Sequence, residues 1–141
     1  MKFRILALGA ALSGGAVAPV AADPLPMDSP VTMGSVETVC TGIGSAKDDP
    51  KWGAYPIRVE FSNGAAQNLS GAHVKLADAG GKTLAEFDCS GAWVLFKLPR
   101  GNYKVAASMT PDTNVRSASF SPPEHGQKRV VLQFPGMQAN Q

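Results

Sequence analysis

Residues 69–107 read LSGAHVKLADAGGKTLAEFDCSGAWVLFKLPRGNYKVAA, and this stretch decides the fold. Ala72, Val74 and Leu76 alternate with His73 and Lys75, and Tyr103, Val105 and Ala107 restart the same rhythm after Gly101. A period of two marks a strand with one buried and one wet face, because successive side chains leave the backbone on opposite sides. Turn signals separate the runs. Asp78, Gly80 and Gly81 predict a hairpin tip, since glycine takes positive φ without steric cost. Residues 83–87 are the expected return strand, and Cys89-Ser90-Gly91 predicts the next turn. Trp93, Leu95 and Leu98 then supply apolar surface to a further strand, with Trp93 expected in the core, until Pro99-Arg100-Gly101 forces a reversal.

The same signals extend in both directions. Upstream, Ile57, Val59 and Phe61 alternate with Arg58 and Glu60, residues 42–54 (GIGSAKDDPKWGA) form a turn-rich loop, and residues 35–41 suit a first strand. Residues 23–34 hold Pro24, Pro26 and Pro30 without periodicity, which predicts a flexible, extended lead-in contributing little to the core. Downstream come a turn at residues 111–114, a weak strand over 115–120, a break at 122–126 and a final alternation of Val130, Leu132 and Phe134. Residues 135–141 are expected to be a disordered tail. No segment has the spacing of an amphipathic helix. The expected fold is all-β: a single antiparallel β-sandwich of about seven strands over residues 35–134, transthyretin-like or immunoglobulin-like in plan.

The beginning of the chain reads as an export signal. Lys2 and Arg4 precede an apolar run broken by Gly14, Gly15 and Pro19, and small residues at Val20, Ala21 and Ala22 suit cleavage after Ala22. Residues 1–22 are therefore expected to be removed, placing the protein in the periplasm, or outside the cell if the source has a single membrane. The run is too short and too broken for a spanning helix, so no membrane insertion is expected after cleavage. The formal net charge of +2 resides in Lys2 and Arg4, which leaves the chain from Asp23 onward balanced. Its cations are scattered, with Lys128 and Arg129 the only adjacent pair, so no footprint for nucleic acid is present. Cys40 and Cys89 are the only cysteines, and in an oxidising compartment they predict a disulfide, with two separately buried thiols as the competing arrangement.

Several of these residues together resemble a known family. Gly71-Ala72-x-Val74-x-Leu76, Gly81-Lys82, Asp88-Cys89-Ser90-Gly91, Trp93-x-Leu95 and Leu98-Pro99-x-Gly101-x-Tyr103-x-Val105 follow the order of the carboxypeptidase regulatory-like domain. The likeness spans residues 41–107 and is similar to that of a group of small exported bacterial proteins. It implies a transthyretin-like or prealbumin-like sandwich and a non-catalytic accessory role. The shared residues are folding residues, so the resemblance carries over no catalytic group.

Candidate chemistry is sparse. A purine-pathway hydrolase of transthyretin-like fold uses several histidines and a C-terminal Tyr-Arg-Gly-Ser signature, whereas this chain has only His73 and His125 and ends in Asn-Gln. There is no nucleophile-elbow motif and no compact set of metal ligands, so neither a catalytic residue, a metal nor a cofactor is expected. The best recognition candidate is the 42–54 loop with its neighbour Tyr55: Lys47, Asp48, Asp49, Trp52 and Tyr55 combine charge with aromatic surface. Trp52 either serves recognition or covers the end of the sandwich. The expected role is a non-catalytic exported domain that binds or supports an envelope protein. A small carbohydrate-binding module using Trp52 and Tyr55, or an unrecognised periplasmic hydrolase, are the alternatives.

Overall fold

A computed structural model describes residues 23–65, 67–110 and 114–137; the expected signal peptide and the last four tail residues lie outside them. The described strands, in chain order, are β1 (Asp23–Pro24), β2 (Val31–Met33), β3 (Val36–Thr41), β4 (Ile57–Ser62), β5 (Ala72–Asp78), β6 (Thr83–Cys89), β7 (Trp93–Lys97), β8 (Tyr103–Met109), β9 (Arg116–Phe120) and β10 (Lys128–Gln133). They form two sheets, ordered β1-β6-β5-β8-β9 and β10-β4-β7-β3-β2. The fold is an all-β sandwich.

Alternation along the strands builds the core between the sheets. Val74, Leu76, Phe87 and Val105 from the first sheet meet Ile57, Val59, Phe61, Val94 and Phe96 from the second, all fully buried. Phe96 lies edge-on to Phe87 and stacks with Phe120, at centroid distances of 6.4 and 6.5 Å. Each such side chain contributes about 1.5–3 kcal/mol through burial. The Leu98-Pro99-x-Gly101-x-Tyr103 run closes on itself, because the Tyr103 hydroxyl donates to the Pro99 carbonyl at 2.7 Å across Gly101, whose φ of +147° disfavours a side chain.

The expected disulfide is present: Cys40 on β3 is joined to Cys89 on β6, tying the two sheets together along one edge. At that crossing Gly91 packs against the backbone of Thr41. A Cβ there would come within 2.1 Å of the Thr41 carbonyl oxygen, so no other residue fits without displacing β3.

Four expectations are corrected. The strands exceed seven, and the sandwich is not wholly antiparallel, since β1 pairs in parallel with β6 and β10 with β4. The lead-in belongs to the sandwich. β1 joins one sheet, β2 joins the other, and between them Leu25 is buried while Met27 packs against the core. Trp93 is on the outer face of its sheet, half-buried, with the Arg58 guanidinium 4.3 Å from its ring centroid; the inward positions of β7 belong to Val94 and Phe96. Finally, Met137 packs against the core, and its carbonyl accepts from the Asn63 amide at 3.0 Å, so the tail is anchored at least that far.

Candidate functional site

The sequence-predicted loop folds as two 3-10 turns, Gly44–Asp48 and Pro50–Ala54, laid over the outer face of the β3-β7 pair. Proline at the start of the second turn supplies a fixed φ, and the Asp49 carboxylate accepts from the Lys51 N–H at 3.0 Å to cap it. Trp52 and Tyr55 then turn inward. With Val39 and Leu95 they form a small second core outside the sandwich.

Both rings are spoken for. Trp52 donates its indole N–H to the Ala46 carbonyl at 2.8 Å, and Tyr55 donates its hydroxyl to Glu37. Burial, reinforced by the Glu37 carboxylate, pushes the Tyr55 hydroxyl well above the usual phenol range. Lys51 Nζ lies 4.8 Å from the centroid of the Trp52 ring, and Lys97 Nζ lies 4.7 Å from that of Tyr55. The open aromatic faces on which a sugar would stack are therefore not offered. Lys47, Asp48 and Asp49 lie on the surface of the loop, Asp49 paired with Lys51 at 3.6 Å, and the five candidate residues do not converge on a common hollow.

A hollow lies beside that loop. Gly53, Ala54 and Pro56, the β7–β8 turn and the β9–β10 connection enclose a cleft of about 710 Å³, within the usual range for ligand sites. Its apolar walls are Pro56, Leu98, Pro122 and Pro123; Arg100, Glu124 and His125 add charge and polarity. The walls are tied to one another. Gln127 donates from Nε2 to the carbonyls of both Trp52 and Tyr55, each at 2.9 Å, and the Lys128 N–H reaches the Pro56 carbonyl at 2.7 Å. Ser121 bonds to Asn102 at 2.5 Å, joining the other two walls. Three loops thus form one stiff rim, whereas Arg100 and Glu124, 3.5 Å apart, are mostly exposed and free to rearrange.

The residues lining the cleft include one imidazole, that of His125, and no serine, threonine, cysteine or tyrosine side chain. His73 is no better placed for catalysis. It stands on the outer face of the first sheet, its Nδ1 2.8 Å from Asp88 and its Nε2 2.8 Å from Glu86. A carboxylate on each ring nitrogen favours the imidazolium form, in which both nitrogens donate. The bond to Asp88 is foremost in raising its pKa, with Glu86 adding to it and partial burial opposing. Among the described residues no group of three His, Cys, Asp or Glu side chains is placed to hold a metal ion. Nor is any described helix long and apolar enough to cross a membrane.

The cleft residues escaped the sequence reading because each is ordinary alone. Pro122-Pro123-Glu124-His125 reads as a turn, and Leu98 as a core residue of the LPxGxY run. The available signal was two proline-bearing turns flanking single strands of one domain, which places apolar, rigid loops at its ends. No protein-family model matches this chain, and no curated protein matches it.

Proposed function

We propose that this chain is a non-catalytic binding domain of the cell envelope, exported by its N-terminal signal, that holds a protein partner at the cleft formed by residues 53–56, 98–101 and 122–126. The observation that carries this reading is the cleft itself: rigid, proline-walled, flanked by one cation, one anion and one histidine, and without a nucleophile. Pre-formed apolar surface with a polar rim suits association at low entropic cost. The disulfide and the carboxypeptidase regulatory-like motif run support an exported accessory domain of that kind.

The test is photo-crosslinking in native envelope. A photoreactive residue replacing Pro123 is expected to trap one discrete partner, and Leu98→Glu is expected to abolish the product. The same group replacing Lys75, on the outer face of the other sheet, is expected to trap none. Equal trapping at both positions, or none at Pro123 in a folded protein, would overturn the reading.

A further inference from the structure

The Cys40–Cys89 disulfide is covered by a thioether. Between β1 and β2 the chain crosses from one sheet to the other as a strap, and Met27 lies where it passes Cys40, with which it forms an isolated parallel bridge. Its Sδ is 3.5 Å from Cys40 Sγ, and the Gly91 N–H donates to that same sulfur at 3.2 Å. Both cysteines are buried, Cys40 completely. Met27 is only half-buried, so a solute arriving from that side meets the thioether before the bond beneath it.

The surroundings suit a thioether and nothing more polar. Met27 packs against the main core, and the polar groups beside it are already paired. The Leu25 N–H donates to the Asp88 carbonyl at 2.9 Å, the Asp28 N–H to the Cys40 carbonyl at 2.8 Å, and the Thr41 hydroxyl to the Asp28 carboxylate at 2.6 Å. An oxygen added to Sδ is a strong acceptor, and each of these donors already has its partner. Keeping such an acceptor buried without a donor disfavours the docked strap relative to a lifted one. The same addition turns a flexible apolar side chain into a polar one, which breaks its packing.

We propose that Met27 is an oxidation site, and that its sulfoxide lifts the strap and opens the disulfide to thiols. The reactant is a two-electron oxygen donor, a peroxide or hypochlorous acid. The sulfur lone pair attacks the oxidant's oxygen, the S–O bond forms as the O–O or O–Cl bond breaks, and the remainder leaves as water or as chloride and a proton. Sulfur loses two electrons and the oxidant gains them. A thiol-dependent reductase restores the thioether: two thiols become a disulfide and the oxygen leaves as water. Once the strap is lifted, a thiolate attacks one sulfur of the Cys40–Cys89 bond, forming a mixed disulfide and releasing the other cysteine as thiolate. The site is independent of the cleft and of the binding reading drawn from it.

The test treats the disulfide-intact protein with hydrogen peroxide, maps each methionine by mass spectrometry and follows reduction of the disulfide by dithiothreitol. Met33 and Met137, likewise half-buried, serve as the comparison. Oxidation of Met27 is expected to speed the reduction at least about tenfold, with faster amide exchange at Leu25 and Asp28. Met27→Leu, which stays apolar and takes no oxygen, is expected to remove the acceleration, whereas Met33→Leu with Met137→Leu is expected to keep it. Met27→Gln, which places a polar group there without any oxidant, is expected to speed reduction in untreated protein. Met27 left unmodified while Met33 and Met137 are converted overturns the proposal. So does a Met27 sulfoxide that leaves reduction and exchange unchanged, or a Met27→Leu protein that still responds to peroxide. If Met27→Leu fails to fold, the protein carrying Met33→Leu and Met137→Leu decides alone, through the reduction rates of its Met27-oxidised and unoxidised fractions.

Discussion

The two lateral edges of this sandwich are built on opposite principles. At one, the Cys40–Cys89 disulfide joins the sheets and the N-terminal segment is laid over the join. β1 pairs with β6, the Leu25 N–H donates to the Asp88 carbonyl at 2.9 Å, and Met27 bridges to Cys40 with its sulfur 3.5 Å from the cysteine sulfur. Asp28, at φ +60°, turns the chain, anchored by its N–H on the Cys40 carbonyl and by the Thr41 hydroxyl at 2.6 Å, and β2 then joins the second sheet. At the other edge β9 and β10 end their sheets, and among the described residues no further strand pairs with either of them. A covered edge contributes stability, and an uncovered one leaves backbone groups available to a partner.

The largest expected effect is on the closed edge. The cysteines are 49 positions apart, and in the chain-entropy model opening such a loop costs about 4 kcal/mol. Cys40→Ala with Cys89→Ala is expected to lower the denaturant midpoint by a corresponding amount with little change in slope. A loss below about 1 kcal/mol would mean that the strap alone closes the edge.

Next in size is the strap. Leu25 is only 6% exposed and packs in the main core, so Leu25→Ala is expected to cost about 2–4 kcal/mol in thermal or chemical unfolding. Faster amide exchange at Asp28 and in β2 should accompany it. An unchanged stability would show that the segment merely rests on the sandwich, and the contrast between the edges would collapse.

That contrast also explains what was legible beforehand. The strands β4, β5, β8 and β10 announce themselves by alternation, and the 78–81 hairpin and LPxGxY turn are local devices whose residues sit side by side in the chain. The lead-in has one buried leucine among prolines, which carries no period, and its placement depends on grooves made by distant strands. The parallel pairing of β10 with β4 joins segments far apart in sequence, and nothing in KRVVLQ specifies that neighbour. Trp52 and Tyr55 were visible as a pair, but their inward orientation follows from Val39 and Leu95, two outward apolar residues that need covering. The cleft is wholly a product of assembly, since Leu98, Pro56 and Pro123 meet only once the sheets have packed.

A smaller effect sharpens the comparison at the closed edge through pH. Asp88 holds β1 by its backbone and His73 by its side chain. The His73 pKa is raised in the folded protein, so its stabilising contribution is complete below the unfolded value of about 6.5 and is lost as pH rises through the folded value. The side chain is 39% exposed, which holds the contribution to less than about 1 kcal/mol. Proton NMR is expected to show His73 titrating above the ordinary range, lowered more by Asp88→Asn than by Glu86→Gln. His73→Gln should cost most in mild acid and nothing in alkali. An ordinary titration, indifferent to both carboxylates, would dissolve the clasp.

The smallest effect on stability belongs to the open edge. Lys128 is exposed at the start of β10, and its backbone, not its side chain, ties it to Pro56. Reversing its charge removes no buried surface, so Lys128→Glu is expected to leave the unfolding midpoint within about 0.5 kcal/mol of the parent. Substitutions at the closed edge should thus move stability, whereas this one at the open edge should not. A Lys128→Glu protein that unfolds early would show that this side chain helps to hold β10 in place, and the contrast between the two edges would lose its open side.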